Sequence, residues 1–400
     1  MKKTGLILGA LAASLMAGSA LAQDISVKLG VLNDRSGIYA DVAGEGSVVA
    51  AQMAVDDFGA ADKGITVEIV SADHQNKPDV GSTIARQWYD QENVDVILDV
   101  PTSSVALAIN DITRESNKVF LNSGAATSDL TGAACSANTI HWTYDTWQLA
   151  NGTGGAMVRN GGDSWFFVTA DYAFGHALER DTAAVVEAAG GTVVGTVRTP
   201  FPGTDFSSFL LQAQSSGAKV IGLANAGGDT INSMKQASEF GITQAGQAIA
   251  GLLVFITDVH SLGLDVAQGL VLTESFYWDL NDQTREWSTR FEEQMGKKPT
   301  MVQAGVYAST LHYLKAVEAL GSAEDGAAVV AQMKEMPTDD PLFGQGEVRA
   351  DGRKTHDSYL FRVKTPDQSE GPWDYYETVA TIPAAEAFRP LDQGGCSLVN

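Results

Sequence analysis

From Ile25 onward the chain alternates between two hydrophobic rhythms. Ile25 to Leu32 is rich in β-forming residues and stops at the turn-forming run Asn33-Asp34-Arg35-Ser36-Gly37. Val48 to Phe58 then places apolar residues one helical turn apart, as with Val49 and Met53. Ile65 to Val70 alternates like a strand, Val80 to Tyr89 is helical, and Val94 to Val100 reads as a buried strand. Val105 to Glu115 is again helical, and Val119 to Leu121 is a short strand. Strands and helices in strict alternation predict a parallel sheet with helices on both faces.

A second cycle begins after Thr139 to Trp142. Ser164 to Thr169 is a strand, and Leu178, Val185, Val186 and Ala189 mark the inner face of a helix that Gly190-Gly191 ends. Thr192 to Val197, Phe206 to Ala213, Val220 to Leu223, Thr230 to Phe240 and Ala248 to Gly251 continue the pattern. Beyond Leu270 come one strand, helices near Thr284 to Met295 and Val302 to Ala319, and late strands around Gly346 to Arg349 and Ser358 to Val363. These are too few strands for a third domain, so they must complete the first two, and the chain must cross between lobes more than once. The predicted fold is α/β, with two doubly wound parallel-sheet lobes. Residues 23–142 with 274–345 form the expected first lobe and 143–273 with 346–380 the second, while 381–400 is a tail returning to the first.

The 400 residues exceed the roughly 250–300 that one core usually spans, which agrees with two lobes. Lys2 and Lys3, the apolar run Leu6 to Leu15 and the small residues at Ala20-Leu21-Ala22 form the layout of a secretory signal peptide over 1–22. The stretch is interrupted by Ser14, Gly18 and Ser19, whereas a membrane anchor needs about 20 consecutive apolar residues. Removing it takes away two lysines and no acid, moving the formal charge from −23 to −25. Nucleic acids and anionic membrane surfaces attract positive footprints, so neither is an expected partner. An exported chain enters an oxidising compartment, where Cys135 and Cys396 are expected to form a disulfide; two buried free thiols are the alternative.

Motifs for catalysis are missing: there is no P-loop, no Gly-x-Ser-x-Gly, no His-Glu-x-x-His and no Cys-x-x-Cys. The six histidines, at 74, 141, 176, 260, 312 and 356, lack metal-ligand spacing, so no metal or cofactor is expected. Gly152-Thr153-Gly154-Gly155 lacks the full dinucleotide-binding spacing and reads as small-residue helix packing.

Several segments stand out in order along the chain: Gly30-Val31-Leu32 with Ser36-Gly37-Ile38-Tyr39; Pro101-Thr102-Ser103-Ser104; Asn122-Ser123-Gly124-Ala125-Ala126-Thr127; Asp171-Tyr172-Ala173-Phe174-Gly175; and Asp205-Phe206. Together they resemble type I periplasmic binding proteins of the leucine/isoleucine/valine-binding family. The resemblance implies two α/β lobes joined by a three-crossing hinge. It also implies a ligand in the cleft whose carboxylate is held by Ser103 or Ser104 and by Ala125, Ala126 and Thr127. Both loops fall at carboxyl ends of parallel strands, where open sheets bind ligands, and the serines open a helix whose free N–H groups attract anions. A plain helix N-cap and a plain tight turn are the structural alternatives. Tyr172 and Phe174 resemble the aromatics that close over the ligand; Tyr39 and Tyr144 are further candidates for the cleft wall.

One departure stands out. Amino-acid binders of this family carry an acidic residue after the strand corresponding to Ala248 to Gly251, to neutralise the ligand's ammonium. Here the stretch reads Gly251-Leu252-Leu253-Val254-Phe255. A buried ammonium without a countercharge is costly, so leucine is expected to bind poorly unless Asp171 or Asp229 substitutes. Ser275-Phe276-Tyr277-Trp278 adds aromatic surface near the last crossing. The expected ligand is a small carboxylate with an apolar or aromatic body, the expected partner is the membrane permease of an ABC importer, and the chain is expected to act as a monomer. A ligand sensor for a membrane receptor is the main competing reading. A periplasmic hydrolase would need a nucleophile beside a base, which the sequence does not display.

Overall fold

The computed structural model describes residues 25–399, so the expected leader lies outside the described residues. The first lobe is built on strands β1 (Ile25–Asn33), β2 (Ile65–Asp73), β3 (Val96–Asp99), β4 (Val119–Asn122) and β5 (Thr139–His141), in the order β2-β1-β3-β4-β5. Every pairing is parallel. The second lobe holds β6 (Ser164–Ala170), β7 (Thr192–Thr199), β8 (Val220–Ala224) and β9 (Ala248–Gly251), also parallel, in the order β7-β6-β8-β9. Val96-Ile97-Leu98 and Val220-Ile221 are continuously apolar because these strands are covered on both faces. The edge strand β7 alternates half-buried and exposed positions instead.

Helices α1 (Gly44–Phe58), α2 (Pro78–Gln91) and α3 (Ser103–Glu115) cover the first sheet. The helix Met301–Leu320 packs along α1 and is apolar on nearly every side because it is buried between that helix and the strands. The late strands do not form a third domain. β10 (Val271–Glu274) extends from the second lobe; β11 (Thr338–Asp340), β12 (Gly344–Val348) and β13 (Lys354–Thr355) form an antiparallel set. β14 (Ser358–Val363) then pairs with both β10 and β15 (Tyr376–Ile382). A bridge from Arg353 to His141 joins the β11–β13 set to the end of β5. Positions 345 and 346 lie inside β12. β15 was not legible in the sequence, because an outer strand exposed at most positions lacks the apolar alternation that marks a strand.

Three passages connect the lobes, near Thr143, Ser275 and His356, and they are tied to one another. Ser275 Oγ donates to the Thr143 carbonyl (3.0 Å), and the His356 Nε2 reaches the same oxygen (2.7 Å). The Gln148 side-chain amide donates to Ser275 Oγ (3.0 Å) and to Ser358 Oγ. All five residues are buried. Burial, followed by the nearby Lys354, holds the His356 imidazole well below its ordinary pKa and therefore neutral.

The expected disulfide is present: Cys135 and Cys396 are bonded, with Cα atoms 5.6 Å apart. Arg389 reinforces it by donating from Nη2 to the Ser128 carbonyl (3.0 Å).

Candidate functional site

The loops that follow β1, β3 and β4 face those that follow β6, β8 and β9, and a small cavity lies between them, with free space of about 10 Å³, roughly that of one water. Its wall comes from both lobes: Tyr39, Val42, Pro101, Gly124, Ala126 and Tyr144 on one side, Tyr172, Phe174, Ala226, Leu253 and Phe255 on the other. Among the described residues, no lysine, arginine or histidine lines it.

Ser103, Ser104 and Thr127 stand behind the first-lobe wall and do not line the cavity; Ser103 is the first residue of α3, fully buried, and its Oγ accepts from the Thr127 N–H at 3.3 Å. That bond joins the two loops and separates Ser103 from Ser104, which is half-buried and makes no comparable bond. α3 has no side-chain cap, so its first-turn N–H groups at 103–105 are unspent. Ala126 lines the cavity, and among the described residues its N–H has no partner. Ala125 points elsewhere: its N–H donates to Asn122 Oδ1 (3.0 Å), its carbonyl accepts from Asn122 Nδ2 (2.7 Å), and its methyl sits in the core with Val105 and Leu130. The Thr127 hydroxyl is occupied as the cap of the turn Ser128–Thr131.

The aromatic wall is continuous across the cleft. Tyr39 and Tyr172 hydroxyls are 2.6 Å apart, and the Tyr172 ring stacks on Phe201 with centroids 3.9 Å apart. Asp34 fixes the turn that presents Tyr39, accepting from the N–H groups of Gly37 (2.7 Å) and Tyr39 (2.9 Å). Tyr144 donates its hydroxyl to the Gly124 carbonyl (2.6 Å) and meets Phe255 edge-on. Burial raises the hydroxyl pKa of Tyr39, Tyr144 and Tyr172, so all three stay protonated and able to donate. Gly227, with φ +56°, lets the second lobe approach Ile38 and Tyr39; a β-carbon there would stand 2.7 Å from the Ile38 carbonyl oxygen.

The carboxylates are arranged differently from the sequence expectation. Leu253 lines the cavity in the stretch where amino-acid binders carry their acid. Asp171 is exposed and paired with His176 (2.8 Å), so it does not face the ligand space. Asp229 is buried, with one oxygen accepting from Gly203 N–H (2.9 Å) and the other unpartnered among the described residues, and burial pushes it up to about 7. Asp258 caps its own helix by accepting from Phe255 N–H (2.9 Å), and burial pushes it to about 7 as well. Near neutral pH each is therefore only partly ionised, which weakens both as countercharges. Ser275 to Trp278 does not supply cleft surface: Phe276 packs on Trp287, and Tyr277 and Trp278 both donate to the Trp373 carbonyl.

Sequence reasoning missed Ala226 and Phe255 as wall residues, and Phe201 as the ring that backs Tyr172. Each follows the end of a parallel strand of the second lobe, and that position was the available signal.

Comparison with known proteins agrees with this architecture. The pattern of a family described as periplasmic binding protein matches residues 26–371. A periplasmic binding protein of Burkholderia mallei is 50% identical, over 94% of this chain and 99% of that one, with a TM-score of 0.91. A branched chain amino acid ABC transporter periplasmic ligand-binding protein of Burkholderia xenovorans LB400 is 42% identical, over 94% and 100%, with a TM-score of 0.83. The Leu/Ile/Val-binding protein homolog 6 of Brucella melitensis is 27% identical over 380 residues, 92% of this chain and 94% of the relative. With two wound lobes, a cleft at their strand ends and a family match along most of its length, the chain belongs to the periplasmic binding protein family.

Proposed function

We propose that this protein captures a small carboxylate with an apolar or aromatic body and delivers it to the permease of an ABC importer. The reading rests on one contrast within the cavity. At one end Ala126 offers an N–H without a partner among the described residues, with the first turn of α3 and the Ser103 hydroxyl behind the wall, while the opposing wall is Leu253, Phe255 and the Tyr172 ring, which Phe201 backs. Neutral donors at a helix start suit an anion, and an apolar wall without an ionised acid disfavours an ammonium. The first lobe takes the head group, and the second closes with Tyr172 and Phe201 over the body. Contacts shared between lobes are what bias the open and closed populations.

Thermal unfolding with benzoate, 4-methylpentanoate and leucine tests it. A ligand at 100 times its Kd adds about 2.7 kcal/mol, so one of the acids should raise the melting temperature by several degrees and leucine should not. A shift with leucine alone overturns the ligand class. Ser103→Ala should weaken the bound acid about tenfold or more, the worth of one hydrogen bond to a charged group. Scattering curves that are identical with and without saturating acid would count against closure.

A further inference from the structure

Asp99 ends β3 directly beneath the two loops just described. It and Val100 both have positive φ, 79° and 56°, a region that is strained for a β-branched residue. The conformation is held in place: Val100 N–H donates to the Leu32 carbonyl (3.1 Å), and the Asp99 carbonyl accepts from the N–H groups of Ser123 and Gly124 (3.3 Å each). The result is a carboxyl group turned into the protein and fully buried. One oxygen accepts from Asn33 Nδ2 at 2.9 Å; the other, Oδ1, makes no well-formed hydrogen bond among the described residues, although the nearby Ser47 hydroxyl, like Asn33, partly offsets the effect of burial. A β-carbon on Gly124 would lie 2.7 Å from Oδ1, so the carboxyl packs directly against Gly124, a residue of the cavity wall.

No cation pairs with Asp99 among the described residues. From β1 it faces Asn33, and the next residue, Asp34, is saturated by the turn at 36–39 and by Asn76. Ser47 comes from α1; His74, past the end of β2, is kept neutral by burial, its pKa lowered to about 4. His141 on β5 is likewise held neutral by burial, and Tyr144 stays protonated. Burial raises Asp99 to about 6, so its charge changes within the ordinary range of pH.

We infer that Asp99 couples ligand capture to proton uptake, its carboxyl becoming neutral when an anion sits against the Ser103 and Ala126 amides. The inference rests on the carboxylate reading above. A negative Asp99 below those amides repels a bound anion, and a bound anion in turn favours the protonated Asp99, because the coupling is reciprocal. Asp99 is here a positioning residue, acting through the loops.

Isothermal titration of the intact protein with benzoate and 4-methylpentanoate, in buffers of different ionisation enthalpy, measures the protons taken up. For a coupling of about tenfold, uptake should peak at about half a proton between pH 6 and 7, and the Kd should weaken about tenfold from pH 5.5 to 8. Asp99→Asn keeps the acceptor for Asn33 and should flatten both profiles; subtracting it removes the contributions of Asp229 and Asp258. Equal proton uptake by the variant and the natural protein overturns the inference while leaving the carboxylate reading intact. If neither acid binds, the carboxylate reading fails and this inference fails with it. Should Asp99→Asn not fold, absence of proton uptake by the natural protein between pH 6 and 7 overturns the inference by itself.

Discussion

The hydroxyl of Tyr39 in the first lobe lies 2.6 Å from that of Tyr172 in the second, a direct hydrogen bond across the cleft between residues 133 positions apart. Only one of the two protons is used in that bond, so the pair retains one donor for a ligand or a neighbouring acceptor.

Tyr172→Phe isolates the hydroxyl. The ring stack on Phe201 is kept, and the bridge to Tyr39 is lost. A single neutral hydrogen bond is worth about 0.5–1.5 kcal/mol, so affinity should fall about two- to tenfold by calorimetry. Tyr172→Ala should cost considerably more, because it also removes the stack.

Leu253→Glu asks whether the missing acid determines the ligand class. Placing a carboxylate in the apolar wall should weaken simple acids by tenfold or more and give leucine measurable affinity. Unfolding stability without ligand should drop by a few kcal/mol, since the new charge is buried and unpaired.

Gly227→Ala tests closure. The backbone there costs a residue with a β-carbon about 1–3 kcal/mol, and the added methyl meets the Ile38 carbonyl only when the lobes are together. Scattering in the presence of benzoate or 4-methylpentanoate should then show a more open particle than the natural protein, with affinity reduced at least tenfold.

The stability of the protein should depend on Asp258 in alkaline rather than acidic solution. Its carboxyl is raised to about 7 in the folded chain, against about 4 when unfolded. Between these values the native state holds a proton that the unfolded chain has released, so this group's contribution declines as pH rises through 4 to 7. Asp258→Asn retains an acceptor for the Phe255 N–H. The variant should match the natural protein near pH 4 and exceed it by a few kcal/mol at pH 8 in urea melts.

Reduction of the Cys135–Cys396 bond should loosen the tail without dismantling either sheet. The bond spans 261 positions, for which loop entropy gives at most about 5 kcal/mol. Titration of the denatured, unreduced chain should detect no free thiol, and the reduced chain should melt at a lower temperature.

The sheets were legible because their central strands are buried on both faces and therefore read as unbroken apolar runs, as at Val96-Ile97-Leu98. The aromatic motif around Tyr172 was legible as well, from residues standing side by side. Phe201 was not, since its role is to back the ring of Tyr172, 29 positions earlier, and spacing along the chain does not encode that contact. Ala125 and Ala126 look equivalent in sequence, yet the Asn122 side chain takes the N–H of one and leaves the other free. Asp99 reads as the polar end of a strand, and only its backbone turn and the absent side chain of Gly124 show that it underlies the cavity.

One amide nitrogen, Gln148 Nε2, serves both Ser275 and Ser358, and the Thr143 carbonyl serves both Ser275 and His356. Under the closure mechanism, three separate connectors so fastened must turn about a common fulcrum, with little freedom to buckle one at a time. Each lobe then swings as a rigid plate, and the angle between their outer faces alone reports whether the cleft is filled.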